Sequence, residues 1–144
     1  MNEAPPTVDA ARAVRIMHAA LVAGVVLAAG VVAFLIQSKR IPPLLPGGVA
    51  TIVAALSLVQ LVVAAGFLRR RIPERGIGEE SQSYWAAPEH RGAAIVLWAV
   101  TEGAALLGLI GYFLTGALAP AVVAGIAIVT LAFFQPSHLE GPGQ

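Results

Sequence analysis

Four uninterrupted apolar runs, Ile16 to Ile36, Gly47 to Leu68, Ala93 to Leu114 and Ala117 to Phe134, leave this chain few ways to fold. Each approaches the ~20 residues that carry an α-helix across roughly 30 Å of hydrocarbon, and the last is the shortest. A membrane β-barrel would instead show short segments alternating apolar with polar residues. The reading is an all-α integral membrane four-helix bundle, one domain over residues 1–144, with helices at about 13–37, 47–68, 91–115 and 117–135 and a polar loop at 69–90. Composition agrees, since 58% of the residues are hydrophobic and 12% charged, whereas a soluble domain carries about twice that share of charge. The first run reads as a retained helix rather than a cleaved leader, because it is long and Glu3 and Asp9 precede it. With no cysteine in the chain, disulfides, thiol redox chemistry and cysteine-based metal sites are excluded.

The basic residues orient the helices. Arg12 and Arg15 precede the first run, Lys39 and Arg40 follow it, and Arg69, Arg70, Arg71, Arg75 and Arg91 lie between the second and third. The positive-inside rule then puts the amino terminus, the long loop and the carboxyl terminus in the cytoplasm. Arg69-Arg70-Arg71 abuts a helix end and reads as a topology signal touching anionic headgroups, so nucleic acid is not an expected partner. Tyr84 and Trp85 read as interfacial anchors, and the tail from Gln135, with two prolines and two glycines, as unstructured. A shift of 79 aligns Arg12 with Arg91, Gly24 with Gly103 and Phe34-Leu35 with Phe113-Leu114, a weak parallel repeat in which Glu102 faces Ala23.

Glu102 is the anomaly. It is a lone carboxylate near the middle of the third run, where an ionised side chain costs several kcal/mol, so the neutral acid is the expected form. At ~1.5 Å per residue it lies roughly 15 Å from one end of that helix, a depth that Gln60 shares. Gln60, Ser57, Thr101, Thr130 and His18 are the polar side chains available to support it. Thr101, Ala104, Gly108 and Gly111 line a small-residue face for close helix packing, and Glu102 points away from it with Trp98 and Leu109. Ala20, Gly24 and Ala28 on the first helix offer a matching small ridge.

The stretch from Thr101 to Ile110, a mid-membrane Glu followed by a small residue and then Gly-Leu-Ile, resembles the ion-binding helix of rotary ATPase c-type proteolipids. Arg71-Ile72-Pro73-Glu74 is similar to the Arg-x-Pro-Glu loop of the same family. The resemblance implies that Glu102 binds and releases a transported proton or cation, and it carries over no other residue. The second run lacks the family's dense glycine repeat, and the first and fourth have no place in a simple hairpin. Over its whole length the chain resembles small four-helix bacterial membrane proteins of uncharacterised families, sharing Glu-Gly-Ala-x-Leu and a Leu-Thr-Gly turn, which implies the bacterial inner membrane as its location.

Three functions follow as expectations. The first is proton or cation binding or conduction through Glu102, in a homo-oligomer or as a subunit of a membrane complex. The second is a structural or assembly subunit with no chemistry of its own. The third is a small proton-coupled transporter, in which Trp98 would supply a cation–π face. No enzyme, catalytic residue, cofactor or metal is expected, because the chain has no paired carboxylates, His-x-x-x-His motif or phosphate-binding glycine loop.

Overall fold

A computed structural model of the protein describes residues 9–38 and 42–141 and is all-helical among them. The helices are α1 (Ala10–Gln37), α2 (Gly47–Val63), α3 (Ser81–Ala86), α4 (Pro88–Thr115), α5 (Leu118–Phe133) and α6 (Pro136–Leu139). Helix α2 continues through a wide π-turn, Ala64–Leu68, and a tight 3-10 turn, Arg69–Arg71. Three helices are long and apolar enough to cross a membrane: α1, α2 with its two extensions, and α4. Helix α5 has 16 residues, or about 24 Å, less than the hydrocarbon thickness. Lys39 and Arg40 lie outside the described residues.

Local chemistry sets the boundaries. The Asp9 carboxylate accepts the Arg12 backbone N–H at 3.1 Å and starts α1. Pro88 occupies the first turn of α4 with Glu89 beside it, where a missing N–H is harmless and a negative charge meets the positive end of the helix dipole. The helix begins three residues before the expected 91 for that reason. Gly116, at φ 66°, ends α4 in the left-handed conformation that favours glycine. Helix α5 stops short of the expected 135 because Pro136 has no N–H to continue it and forces Gln135 into extended backbone.

Helices α2, α4 and α5 form the tightly packed centre. A Cβ on Gly108 would stand 2.8 Å from the Pro120 carbonyl oxygen and 3.0 Å from the Ala124 nitrogen, so α4 and α5 touch backbone to backbone. A Cβ on Gly111 would meet the Val53 side chain of α2. The small-residue face of α4 thus packs closely, but against α5 and α2. The ridge on α1 is not its partner, as Ala20 and Gly24 are exposed and nothing lies within 4 Å of a Cβ placed on Gly24. Helix α1 lies alongside, burying only Ala11, Val14, His18 and Val25.

The outer surface is apolar. Leu118, Val122, Ile126, Val129 and Phe133 are exposed along one stripe of α5, as are Ile52, Leu56, Val59 and Val63 on α2. Large apolar side chains in continuous helical stripes face hydrocarbon rather than water in a stable fold. With three membrane-length helices, this surface makes the chain a membrane protein with a helix-bundle core.

The chain runs up and down. At one end the Leu44 and Leu45 N–H groups donate to the Leu114 carbonyl at 2.8 and 3.0 Å, beside the α4–α5 turn. The other end gathers the start of α1, the end of α2, the start of α4, the end of α5, and both α3 and α6. Arg12, Arg15, Arg69, Arg70, Arg71, Arg75 and Arg91 all belong to this basic end.

Candidate functional site

Glu102 sits at the middle of α4, partly exposed, and has no hydrogen-bond partner among the described residues. It borders an outward strip of α4 that includes Leu106 and Ile110. One turn further on, Leu106, Leu109, Ile110 and Phe113 face Ala28, Val32 and Leu35 of α1 across an apolar groove of about 290 Å³.

The polar residues expected around Glu102 are engaged elsewhere. Ser57 is buried and its hydroxyl donates to the Ala104 carbonyl, tying α2 to α4. Gln60, three residues on, is exposed. The Thr101 and Thr130 hydroxyls each donate to the carbonyl four residues back, Leu97 and Ile126, at 2.8 Å, the usual solution for a hydroxyl inside a helix. These residues share a depth but not a face, so they do not form one network.

His18 has a different task. Because Pro136 ends α5, the last carbonyls of that helix lack backbone donors, and ring N–H groups take their place. His18 Nε2 donates to the Leu131 carbonyl at 2.9 Å, and Trp98 Nε1 donates to the Phe134 carbonyl at 2.7 Å. His138 Nδ1 lies 2.9 Å from the Phe133 carbonyl. A carbonyl only accepts, so His18 carries a proton on Nε2. The His18 and Trp98 rings sit 4.9 Å apart, which holds α1 against the bundle at this level.

The most developed polar site is one the sequence did not suggest, built around Glu140. This carboxylate is 6% exposed. Its Oε2 pairs with Arg75 Nη1 at 2.9 Å, and its Oε1 accepts from Ser81 Oγ at 2.8 Å and Trp85 Nε1 at 2.7 Å. The Arg75 backbone N–H also donates to the Glu140 carbonyl at 2.9 Å. The expectation of an unstructured tail is therefore corrected over residues 135–141, while 142–144 lie outside the described residues: α6 folds back, buries Leu139 completely and clamps the loop. A signal was present in Pro136 and Gly141, a proline opening and a positive-φ glycine closing a short helix.

Tyr84 and Trp85 are corrected in the same way, being fully buried rather than at a lipid interface. The Tyr84 hydroxyl donates to the Pro73 carbonyl at 2.7 Å and its ring stacks on His90. Burial pushes the Tyr84 phenol above its ordinary 10.0, with Glu140 and Glu79 acting in the same direction and Arg69 against them. The folded state thus holds this proton longer than the unfolded chain, so the contribution is present below pH 10.0 and lost as pH rises through the folded value. In a Tyr112→Phe background, phenolate absorbance should titrate with a midpoint above 10.0. A midpoint at or below that value would mean an exposed ring.

Among the described residues no group of three or more His, Asp or Glu side chains is placed to hold a metal ion. The geometry offers one unpaired carboxyl at mid-height and a closed ionic clamp at the basic end. Compared with known proteins, the chain matches no family model, no curated protein and no solved structure.

Proposed function

We propose that this protein is a small inner-membrane protein with four membrane crossings and a cytoplasmic basic end, that Glu102 takes up and releases a proton or cation, and that it carries out no enzymatic step. The single observation that supports this reading is the state of Glu102, partly exposed at the centre of α4 with no hydrogen-bond partner among the described residues. Interhelical glue is hydrogen-bonded inside its own bundle, and Gln60, the nearest match in depth, faces outward. An unpartnered carboxyl in hydrocarbon is costly enough that something outside the chain completes it. A proton, a cation, a second copy or another subunit each does so, in the manner of the proteolipid helix that the Glu102 stretch resembles.

The transporter reading loses its cation–π element, because Trp98 is fully buried, bonded to the Phe134 carbonyl and packed at a tilt against His18. The assembly-subunit reading retains support from the exposed apolar faces of α1 and separates from the first by experiment. A hydrophobic carbodiimide, which modifies protonated carboxyls in apolar surroundings, should label Glu102 in native membranes. The Glu102→Gln variant should lose both the label and any proton or cation flux in proteoliposomes while folding normally. Absence of labelling, or flux unchanged by the substitution, would leave the assembly role as the better account.

A further inference from the structure

We propose that the cleft between the end of α2 and α6 is a binding site for an anionic phospholipid, with the headgroup phosphate on Arg69 and Ser137 and an acyl chain along α5. The cleft is about 440 Å³, with Phe133, Phe134 and Leu139 forming its apolar side and Arg69, Ser137 and His138 its polar side. Apolar walls with a few convergent donors at one rim match a molecule that is greasy at one end and anionic at the other. The site rests on reading α2 as a membrane span and is independent of any role for Glu102.

The residues lining the cleft include Arg69 and no acid. Three consecutive arginines close the long apolar helix, yet the one ion pair among the described residues joins Arg75 to Glu140. Arg71 lies over the Phe67 ring, 4.2 Å from its centroid. Among the described residues the Arg69 side chain makes one long bond, Nη2 to the His138 carbonyl at 3.3 Å, and its other guanidinium donors have no partner there. Glu140 is not its ion-pair partner among the described residues, since that carboxylate pairs with Arg75 at 2.9 Å.

Backbone geometry brings Arg69 to this place. The π-turn at Ala64–Leu68 closes with the Arg69 N–H on the Ala64 carbonyl, five residues back. One extra residue in a turn rotates everything beyond it by roughly 100° relative to a regular helix. On the lipid side, the exposed stripe Ile126, Val129 and Phe133 leads directly to the cleft, and Phe133 belongs to both. A chain lying on that stripe therefore ends with its headgroup beside Arg69. An apolar track joined to the rim favours a lipid over a free anion or a nucleic acid.

The test is native mass spectrometry of the full chain, released from detergent after titration with phosphatidylglycerol, phosphatidylcholine or inorganic phosphate. One phosphatidylglycerol per chain should be retained at least about fivefold better than phosphatidylcholine, and Arg69→Gln should lower that retention by about fivefold, the effect of one basic residue. Ser137→Phe, which fills the cleft from an exposed position, should do the same, and Arg15→Gln should leave retention unchanged. Both cleft variants should keep wild-type tryptophan emission. Equal retention of the two lipids, no effect of either cleft variant, or displacement of the lipid by millimolar phosphate would overturn the site. Release of the chain from membranes by alkaline carbonate would overturn the membrane reading itself, a different failure from loss of lipid selectivity.

Discussion

Replacing Glu140 by alanine is expected to loosen the whole basic end of the bundle, at a cost of about 2–4 kcal/mol. The substitution strands the fully buried Trp85 Nε1–H, removes the acceptor of Ser81 and leaves the Arg75 guanidinium, whose Nε is already buried without a partner, facing an empty pocket. Arg75 is 22% exposed and can recover some hydration, which places the estimate below that for a sealed ion pair. Tryptophan emission should shift to the red as Trp85 meets water, and trypsin should cut after Arg75 faster than in the wild type. Glu140→Gln should fall between the two, since the amide oxygen still accepts from Trp85 while its NH₂ opposes the arginine. Stability within about 0.5 kcal/mol of wild type for the alanine variant would mean that the clamp is ornamental.

Gly108→Val should be the second severe change. Its Cβ would stand 2.8 Å from the Pro120 carbonyl oxygen and 3.0 Å from the Ala124 nitrogen, and backbone cannot step aside as a flexible side chain does. Relief requires α4 and α5 to move apart, which undoes packing around Leu97, Thr101 and Ala104, for a cost of about 3 kcal/mol or more. Gly103→Ala makes the matched control, because nothing lies within 4 Å of its added carbon. That variant should gain up to about 1 kcal/mol from helix propensity alone. Unfolding in mixed micelles, followed by loss of helix signal, compares the two, and equal behaviour would contradict the close α4–α5 contact.

How much was legible depended on whether a feature is local. The helices could be read because hydropathy acts over short windows, while the prolines moved two of their ends: Pro88 opens α4 earlier and Pro136 closes α5 sooner than the apolar runs suggest. The small face of α4 was legible for the same reason, being a periodicity of one helix. Its partner was not: the Ala20, Gly24 and Ala28 ridge of α1 looks equally suitable in sequence, and only the placement of Pro120 and Ala124 shows which surface meets Gly108. Depth along a helix was readable for Glu102, Gln60 and Ser57, but rotation about the neighbouring axis was not. That rotation turns Ser57 inward and Gln60 outward.

The amino-acid sequence alone determined that this chain is helical, that its long apolar stretches suit a bilayer, and that a single carboxylate interrupts them at Glu102. Each of these follows from the free energy of moving a segment or a side chain out of water, which depends on composition over short windows. Tertiary structure decided which polar groups meet. It brought Glu140 from the tail to Trp85, Ser81 and Arg75, His18 to the carbonyl of Leu131, and left Glu102 without a hydrogen-bond partner among the described residues. Hydrogen bonds and ion pairs form only within about 3 Å and a narrow angle, so which of them form is settled when the helices dock.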